Sequence, residues 1–406
     1  MVSCPTVHAA FYLWYGTPDV DGRWLHWDHA TLPHWDEAVR KRHAPPGQLH
    51  APPEEPHSPY YPARGLYSSR DNATLHAQFA SLAAAGVDTA MLSWWGRKDS
   101  DVRRDSQGVN TDLIVPAVLD AAAAHGVGIS WHLEPYGGRS PATVRDDLKY
   151  LHERYGRHPA IWRQRAPREL EEADVPEKKY VGSGVPGSTR ASGRKLPLVF
   201  LYDVSFEHAG GLQAEREKTI AEWRALTAGV RDEAEDAILL SLYHDRRDVE
   251  FVRRAGVAGA YTYFGAVGFT EGSDPANWFA ASSKLKKMGK LFVASVGPGY
   301  DDTRIRPWNA DNRRDREGGK YMERMWRAAL AVEPAAISIT SYNEWGEGTQ
   351  IEEARPHTAA GTGVVYADYG PNATDAYMQL TRRLVDETQA KCAAAKPRPP
   401  VLKPEL

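Results

Sequence analysis

The chain has only two cysteines in 406 residues, Cys4 and Cys392. So sparse a pair excludes a disulfide framework of the kind small secreted domains rely on; the two can close one bridge in an oxidising compartment or stand as unrelated thiols. No apolar run approaches the roughly 20 residues needed to span a bilayer. The start Met1-Val2-Ser3-Cys4-Pro5 lacks the basic and apolar regions of a signal peptide. A formal net charge of only -3 gives no electrostatic reason to expect nucleic acid or an anionic membrane surface as partner. Asn72-Ala73-Thr74 and Asn372-Ala373-Thr374 are formal glycosylation sequons, triplets that chance also supplies.

What is present is a globular composition, 42% hydrophobic and 25% charged, long enough for one large core or two small ones. Thirteen Trp and 19 Tyr exceed what such a core needs. Sugars pack their C–H faces on aromatic rings while their hydroxyls take hydrogen bonds, so the enrichment is compatible with a carbohydrate site, although most of these rings belong to the core.

The stretch from Ala335 to Gln350 organises the rest. It opens as a β-branched run behind Glu333-Pro334, which reads as a buried strand. It ends in two carboxylates, Glu344 and Glu347, where Gly346 and Gly348 let the backbone turn so that both acids face a cleft at that end of the sheet. Paired acids beside Trp345 are what glycosidic cleavage requires: one carboxyl protonated to help the leaving oxygen depart, one ionised for nucleophilic or basic work. The competing reading is a solvated loop with ordinary surface acids.

Seven more strands precede it: Ala9–Gly16, Val87–Trp94, Val127–Tyr136, Leu198–Val204, Ala237–His244, Ala258–Phe264 and Leu291–Val296. Helices fall between them, among them one capped by Asp71 or Asn72 with Leu75, Phe79 and Leu82 in period, and one started by Ser140-Pro141. Asp19 to about Tyr67 reads as a long irregular segment of the kind that carries function. Within it His26-Trp27-Asp28-His29 with His34 can be drawn as a metal cluster, but no Cys or well-spaced carboxylate completes the set. A charged, Gly- and Ser-rich insertion runs from about Arg163 to Lys195.

Eight strands, each followed by a helix, at this length predict an α/β fold: a single (β/α)8 TIM barrel with enlarged βα loops, spanning residues 1–395 and followed by a tail at 396–406. Such a barrel gathers its chemistry at the carboxyl ends of its strands. There the sequence repeatedly places polar and aromatic groups: Tyr15, Trp95, His132, Glu134, Asp203, His244, Tyr261 and the pair Glu344/Glu347.

The motifs Trp14-Tyr15-Gly16, Tyr67-Ser68-Ser69-Arg70, Leu92-Ser93-Trp94, His132-Leu133-Glu134-Pro135-Tyr136, Tyr261-Thr262-Tyr263-Phe264, Ser295 to Tyr300, Ile305-Arg306-Pro307-Trp308-Asn309 and Asn343 to Glu352 extend over nearly the whole chain in consistent order. In these the chain resembles glycoside hydrolase family 99, the endo-α-1,2-mannosidases and endo-α-1,2-mannanases. The resemblance implies retaining cleavage inside an α-mannoside chain without metal or organic cofactor. It maps the acid/base role onto Glu347. Onto Glu344 it maps the residue that deprotonates the substrate's own 2-hydroxyl, which then attacks the anomeric carbon; direct carboxylate attack is the ordinary alternative.

It also implies sugar contacts by Tyr15, Trp95, His132, Glu134, Tyr261 and Arg306, with Asn343 either contacting substrate or orienting Glu344. The partner implied is an oligosaccharide or a glycoprotein N-glycan, and the location the Golgi or secretory pathway, through a membrane anchor or signal not visible in this chain. The chain departs from the family pattern in places: Gly346 stands where a histidine is expected between the two acids, Trp95, at a position that varies between Trp and Tyr, looks more like the mannan-directed members, and the insertion from Arg163 to Lys195 is longer than expected. Two other functions fit the residues: an α-glucan hydrolase on a related barrel, and a catalytically silent lectin that keeps the aromatic cleft.

Overall fold

The computed structural model describes residues 4–34, 36–43, 47, 49–100, 103–167, 194–204, 213–370 and 373–394. Eight parallel strands form the centre: β1 (Thr6–Phe11), β2 (Thr89–Trp94), β3 (Gly128–Leu133), β4 (Lys195–Leu201), β5 (Ile238–Leu242), β6 (Gly259–Tyr261), β7 (Leu291–Val296) and β8 (Ala336–Ile339). Each pairs in parallel with the next along the chain, and β1 pairs with β8, Thr6 opposite Ala336, so the sheet closes on itself. The strands are buried almost throughout, as strands covered on both faces must be. Eight helices follow in alternation: α1 (Asn72–Ala84), α2 (Val115–His125), α3 (Pro141–Tyr155), α4 (Gln213–Gly229), α5 (Asp248–Ala255), α6 (Pro275–Lys287), α7 (Lys320–Ala331) and α8 (Ala376–Ala394). This is the (β/α)8 barrel that the strand count predicts.

Local chemistry starts and stops the helices. The Asp71 carboxylate accepts from the amides of Ala73 and Thr74 to begin α1, whose Leu75, Phe79 and Leu82 are then fully buried. Each such side chain contributes about 1.5–3 kcal/mol of burial. Ser140 and Thr143 form a reciprocal capping box ahead of Pro141 at the start of α3. Gly126 at φ 70 ends α2 in the left-handed region and turns the chain into β3.

Two small additions bear on the site. Tyr61–Pro62 pairs antiparallel with Ala354–Arg355, joining the long β1–α1 connection to the one after β8. Arg163–Arg165 pairs antiparallel with the start of β4, so this end of the insertion is a strand; residues 168–193 lie outside those described, as do the sequon at 372 and the tail. At the base, Cys4 and Cys392 are bonded to each other with Cα atoms 5.5 Å apart, fastening the start of β1 to α8 and settling the choice the sequence left open. None of the described helices is long and apolar enough to cross a membrane.

Candidate active site

The carboxyl ends of the strands enclose a cavity of about 740 Å3 lined on one side by Trp95, Glu134 and Tyr202, on another by Ile305 and Arg306, with Tyr12 and Tyr263 beside Glu344 and Glu347. The two acids are there because of how β8 ends. After Ile339 the chain turns back on itself: the Ser341 hydroxyl accepts from the Glu344 amide at 2.7 Å, and the Ser341 amide donates to the Thr349 carbonyl at 2.9 Å. Arg316, buried among the rings of Tyr60, Tyr369 and Tyr377 at 4.4–4.9 Å, donates to the carbonyls of Gly348 and Gln350 at 2.8 Å each. The loop that carries Glu347 is therefore held from beneath by a cation.

Glu344 is 6% exposed. Its Oε1 accepts from the Gly346 amide at 3.1 Å, while its Oε2 is buried without a partner among the described residues. Burial and the neighbouring charge of Glu347 push its carboxyl well above the usual range, against the pull of Arg306. Burial likewise pushes Glu347 up to about 7, with Arg306 opposing and the carboxylates of Asp302 and Glu134 adding to it. Arg306 lies 3.7 Å from Glu347 and 2.9 Å from Asp302. A buried acid and a half-buried one that face one shared cation cannot both ionise easily, so the pair retains a proton in the neutral range.

The positions singled out from sequence divide into two groups. Trp95, Glu134, Arg306, Glu344 and Glu347 line the cavity. Tyr15, His132, Tyr261 and Asn343 stand in the wall behind it with their polar groups engaged. The Tyr15 hydroxyl donates to the Asn343 carbonyl and accepts from the Trp345 amide, both at 3.0 Å. Asn343 clasps the backbone of Tyr12, accepting from its N–H at 2.7 Å and donating to its carbonyl at 3.0 Å.

Tyr261, His132, Glu134, Ser93 and Trp95 form one chain of bonds. The Tyr261 hydroxyl and His132 Nε2 share a hydrogen bond at 2.8 Å, His132 Nδ1 meets Glu134 Oε1 at 2.8 Å, the Ser93 hydroxyl donates to the same oxygen at 2.8 Å, and the Trp95 indole donates to Ser93 at 3.2 Å. This chain fixes Glu134 and Trp95 from behind. Asp203 and His244, also at strand ends, lie 3.6 Å apart.

The sequence reading did not single out several residues that complete the lining. Tyr12 and Tyr263 share a hydroxyl–hydroxyl bond, and Tyr202, Trp14 and His57 join them. Tyr263 was findable, as it sits two residues beyond Tyr261 in a quoted motif; His57 was not, since nothing local marks it. The histidines drawn as a possible metal cluster are otherwise occupied: His26 pairs with Asp105 at 2.8 Å and stacks on Trp14, and His29 contacts the Ala30 carbonyl at 2.7 Å. Among the described residues no group of three or more His, Cys, Asp or Glu side chains converges on a metal position.

Known proteins resemble this arrangement throughout. The sequence model of glycosyl hydrolase family 99 matches residues 4–390. Glycoprotein endo-alpha-1,2-mannosidase of Rattus norvegicus is 37% identical over 384 residues, 93% of this chain and 73% of the relative. Glycoprotein endo-alpha-1,2-mannosidase-like protein of Homo sapiens is 36% identical over 387 residues, 93% of this chain and 74% of the relative. The solved GH99 endo-alpha-mannosidase from Bacteroides thetaiotaomicron superposes with a TM-score of 0.76 at 34% identity, over 96% of this chain and 98% of its own. With a closed eight-stranded barrel and two acids at its mouth, this chain belongs to glycosyl hydrolase family 99 and is a glycoside hydrolase.

Proposed function

We propose that this enzyme is a retaining endo-α-1,2-mannosidase, cleaving internal α-mannosidic linkages of high-mannose N-glycans, glucosylated or not, or of α-mannan. The observation that carries the reading is the pair Glu344 and Glu347 in one cavity, both driven upward by burial, with one carboxylate oxygen of Glu344 unpartnered. Relatives that are named glycoprotein endo-alpha-1,2-mannosidase, at 37% identity, support the substrate class.

Glu347 gives its proton to the departing glycosidic oxygen while Glu344 takes the proton of the substrate's 2-hydroxyl, which closes on the anomeric carbon to a 1,2-anhydro sugar. Water, deprotonated by Glu347, then opens that ring at the anomeric carbon, and Glu344 returns the proton to the 2-oxygen. Before substrate binds, Arg306 favours the negative charge on Glu347, the nearer acid. The productive distribution, proton on Glu347 and charge on Glu344, is established when the 2-hydroxyl donates to the Glu344 carboxylate, since a donor stabilises the ionised form. Trp95 offers a ring beneath a sugar, and Glu134 and Arg306 offer an acceptor and a donor to its hydroxyls. Tyr15, His132, Tyr261 and Asn343 serve by holding those groups in place. The Cys4–Cys392 bond fits maturation in an oxidising compartment, and we place the enzyme in the secretory pathway.

The test is digestion of monoglucosylated high-mannose glycan and of α-1,2-branched mannan side by side, with released oligosaccharides read by mass and first-formed anomer. Release of a disaccharide or larger fragment as the α-anomer is expected from at least one. Release of single mannose units, or of the β-anomer, contradicts the reading.

A further inference from the structure

We infer that His57 is a specificity-determining residue on the leaving-group side of the cavity, its imidazole occupying the space beside the two acids that a side chain at position 346 would otherwise fill. The inference rests on the mannosidase reading above and adds to it the group that meets the departing sugar.

Gly346 sits between Glu344 and Glu347 with an ordinary backbone, yet it could carry no side chain as the protein stands. A Cβ built there would lie 2.8 Å from His57 Nε2, 3.0 Å from His57 Cδ2 and 2.6 Å from Ile305 Cδ1. The Ile305 methyl is the tip of a flexible chain and can turn aside. The imidazole has less room to move: His57 is 2% exposed, its backbone amide donates to the Trp27 carbonyl at 2.9 Å, and the rings of Trp27, His29 and Tyr15 surround its own at centroid distances of 6.0, 6.1 and 6.4 Å. His57 and Gly346 thus form a steric pair across two loops, one after β1 and one after β8, strands that are neighbours in the barrel.

The placement defines which sugar the ring meets. Strand order sets Trp95 and Glu134, at the ends of β2 and β3, on one side of β1; the β8 loop and Arg306 lie on the other, and His57 is on that side, with Ile305 and the acid Glu347. The proton donor faces the departing oxygen, so this side receives the leaving sugars.

The chemistry suits a hydroxyl. His57 is 2% exposed and lines the cavity; its Nδ1 is buried without a partner among the described residues, so the atom that can meet a hydroxyl is Nε2, the one beside Gly346. Burial, reinforced by the nearby His29 and His26, holds it well below the usual histidine range, so the ring is neutral and offers one donor and one acceptor. Neutral imidazole pairs with a sugar hydroxyl without adding a charge that would disturb the two acids.

The experiment compares two substrates in His57→Ala, Gly346→Ala and the double variant. A mannosyl-mannosyl fluoride puts no sugar on the leaving-group side; an α-1,2-linked manno-oligosaccharide does. In His57→Ala the ratio of kcat/KM on the oligosaccharide to that on the fluoride should fall about threefold to tenfold, which is the cost of one lost hydrogen bond to a bound hydroxyl. Gly346→Ala should lose at least about tenfold on the oligosaccharide in the wild-type background and less than about threefold when His57 is already Ala, a coupling that an unrelated structural role would not produce.

His57→Gln, which keeps a donor and an acceptor, should recover most of the ratio, and it decides the matter if His57→Ala does not fold. Equal losses on both substrates, or an equal cost of Gly346→Ala in both backgrounds, overturn the inference. A wild-type enzyme that turns over neither substrate overturns the mannosidase reading and this one with it.

Discussion

Replacing Arg306 by Met removes the cation that lies 3.7 Å from Glu347 and so tests the electrostatics of the site directly. Two opposite unit charges at that separation attract by about 4.5 kcal/mol at an effective dielectric of about 20 and by about 1 kcal/mol in water. The Arg306 side chain is 32% exposed and divides its charge between Glu347 and Asp302, so the effective loss lies in the lower part of that range. About 1.5–3 kcal/mol corresponds to roughly 1–2 pH units. Partial burial pushes Glu347 up to about 7, and Arg306 is what restrains it from going higher.

In the proposed mechanism the singly protonated pair is the active form, and loss of its last proton sets the basic limb of the kcat/KM profile. In Arg306→Met that limb should therefore move upward by about 1–2 units, and the value at the optimum should fall because the freed Asp302 is left buried without its cation. A profile whose basic limb stays within about 0.3 unit of wild type in a folded variant would refute this electrostatic reasoning.

Other consequences concern stability. A carboxyl whose folded titration point is raised costs nothing below about pH 4.5, and its penalty grows as pH climbs toward the folded value and is complete above it. For Glu347, raised to about 7, Glu347→Gln should gain about 1–3 kcal/mol at pH 8 and almost nothing at pH 4.5, read by denaturant unfolding at both pH values. Asn343→Ala leaves both the N–H and the carbonyl of Tyr12 unsatisfied and should cost about 2–4 kcal/mol in the same assay. Breaking the bond between Cys4 and Cys392, by reduction or by Cys392→Ser, should lower stability by about 2–5 kcal/mol, because the link closes almost the entire chain in the unfolded state. Arg316→Met should reduce kcat on the oligosaccharide at least about tenfold with little change in KM, since the carbonyls of Gly348 and Gln350, just after Glu347, lose their donor.

How much of this was legible beforehand depended on how local the cause was. Helix α1 announces itself in Asp71 and the spacing of Leu75, Phe79 and Leu82, and Ser140-Pro141 does the same for α3, because caps and periodicity are properties of adjacent residues. Strand ends were less legible. The first strand was expected over Ala9–Gly16 but pairs over Thr6–Phe11, since the aromatic run beyond Phe11 leaves the sheet to build the cavity wall and resembles a strand only in composition. The sixth was expected over Ala258–Phe264 and stops at Tyr261, two residues before Tyr263 takes φ 52. The acids Glu344 and Glu347 were visible as a pair at a strand end. That Tyr15 and Asn343 spend their polar groups on backbone, and that His57 fills the place beside Gly346, depends on loops far apart in sequence, which no local pattern records.

The division of labour between the two acids is the central claim, and one comparison tests it: turnover of a mannosyl fluoride and of an α-1,2-manno-oligosaccharide by Glu344→Gln and Glu347→Gln. Fluoride departs without a proton, so Glu347→Gln should retain most of its rate in forming the first intermediate from the fluoride while losing the oligosaccharide by a factor of about 10^3 or more. Glu344→Gln should lose both substrates, because the attack on the anomeric carbon fails whatever leaves. Loss of the fluoride reaction in Glu347→Gln together with its survival in Glu344→Gln would contradict the assignment.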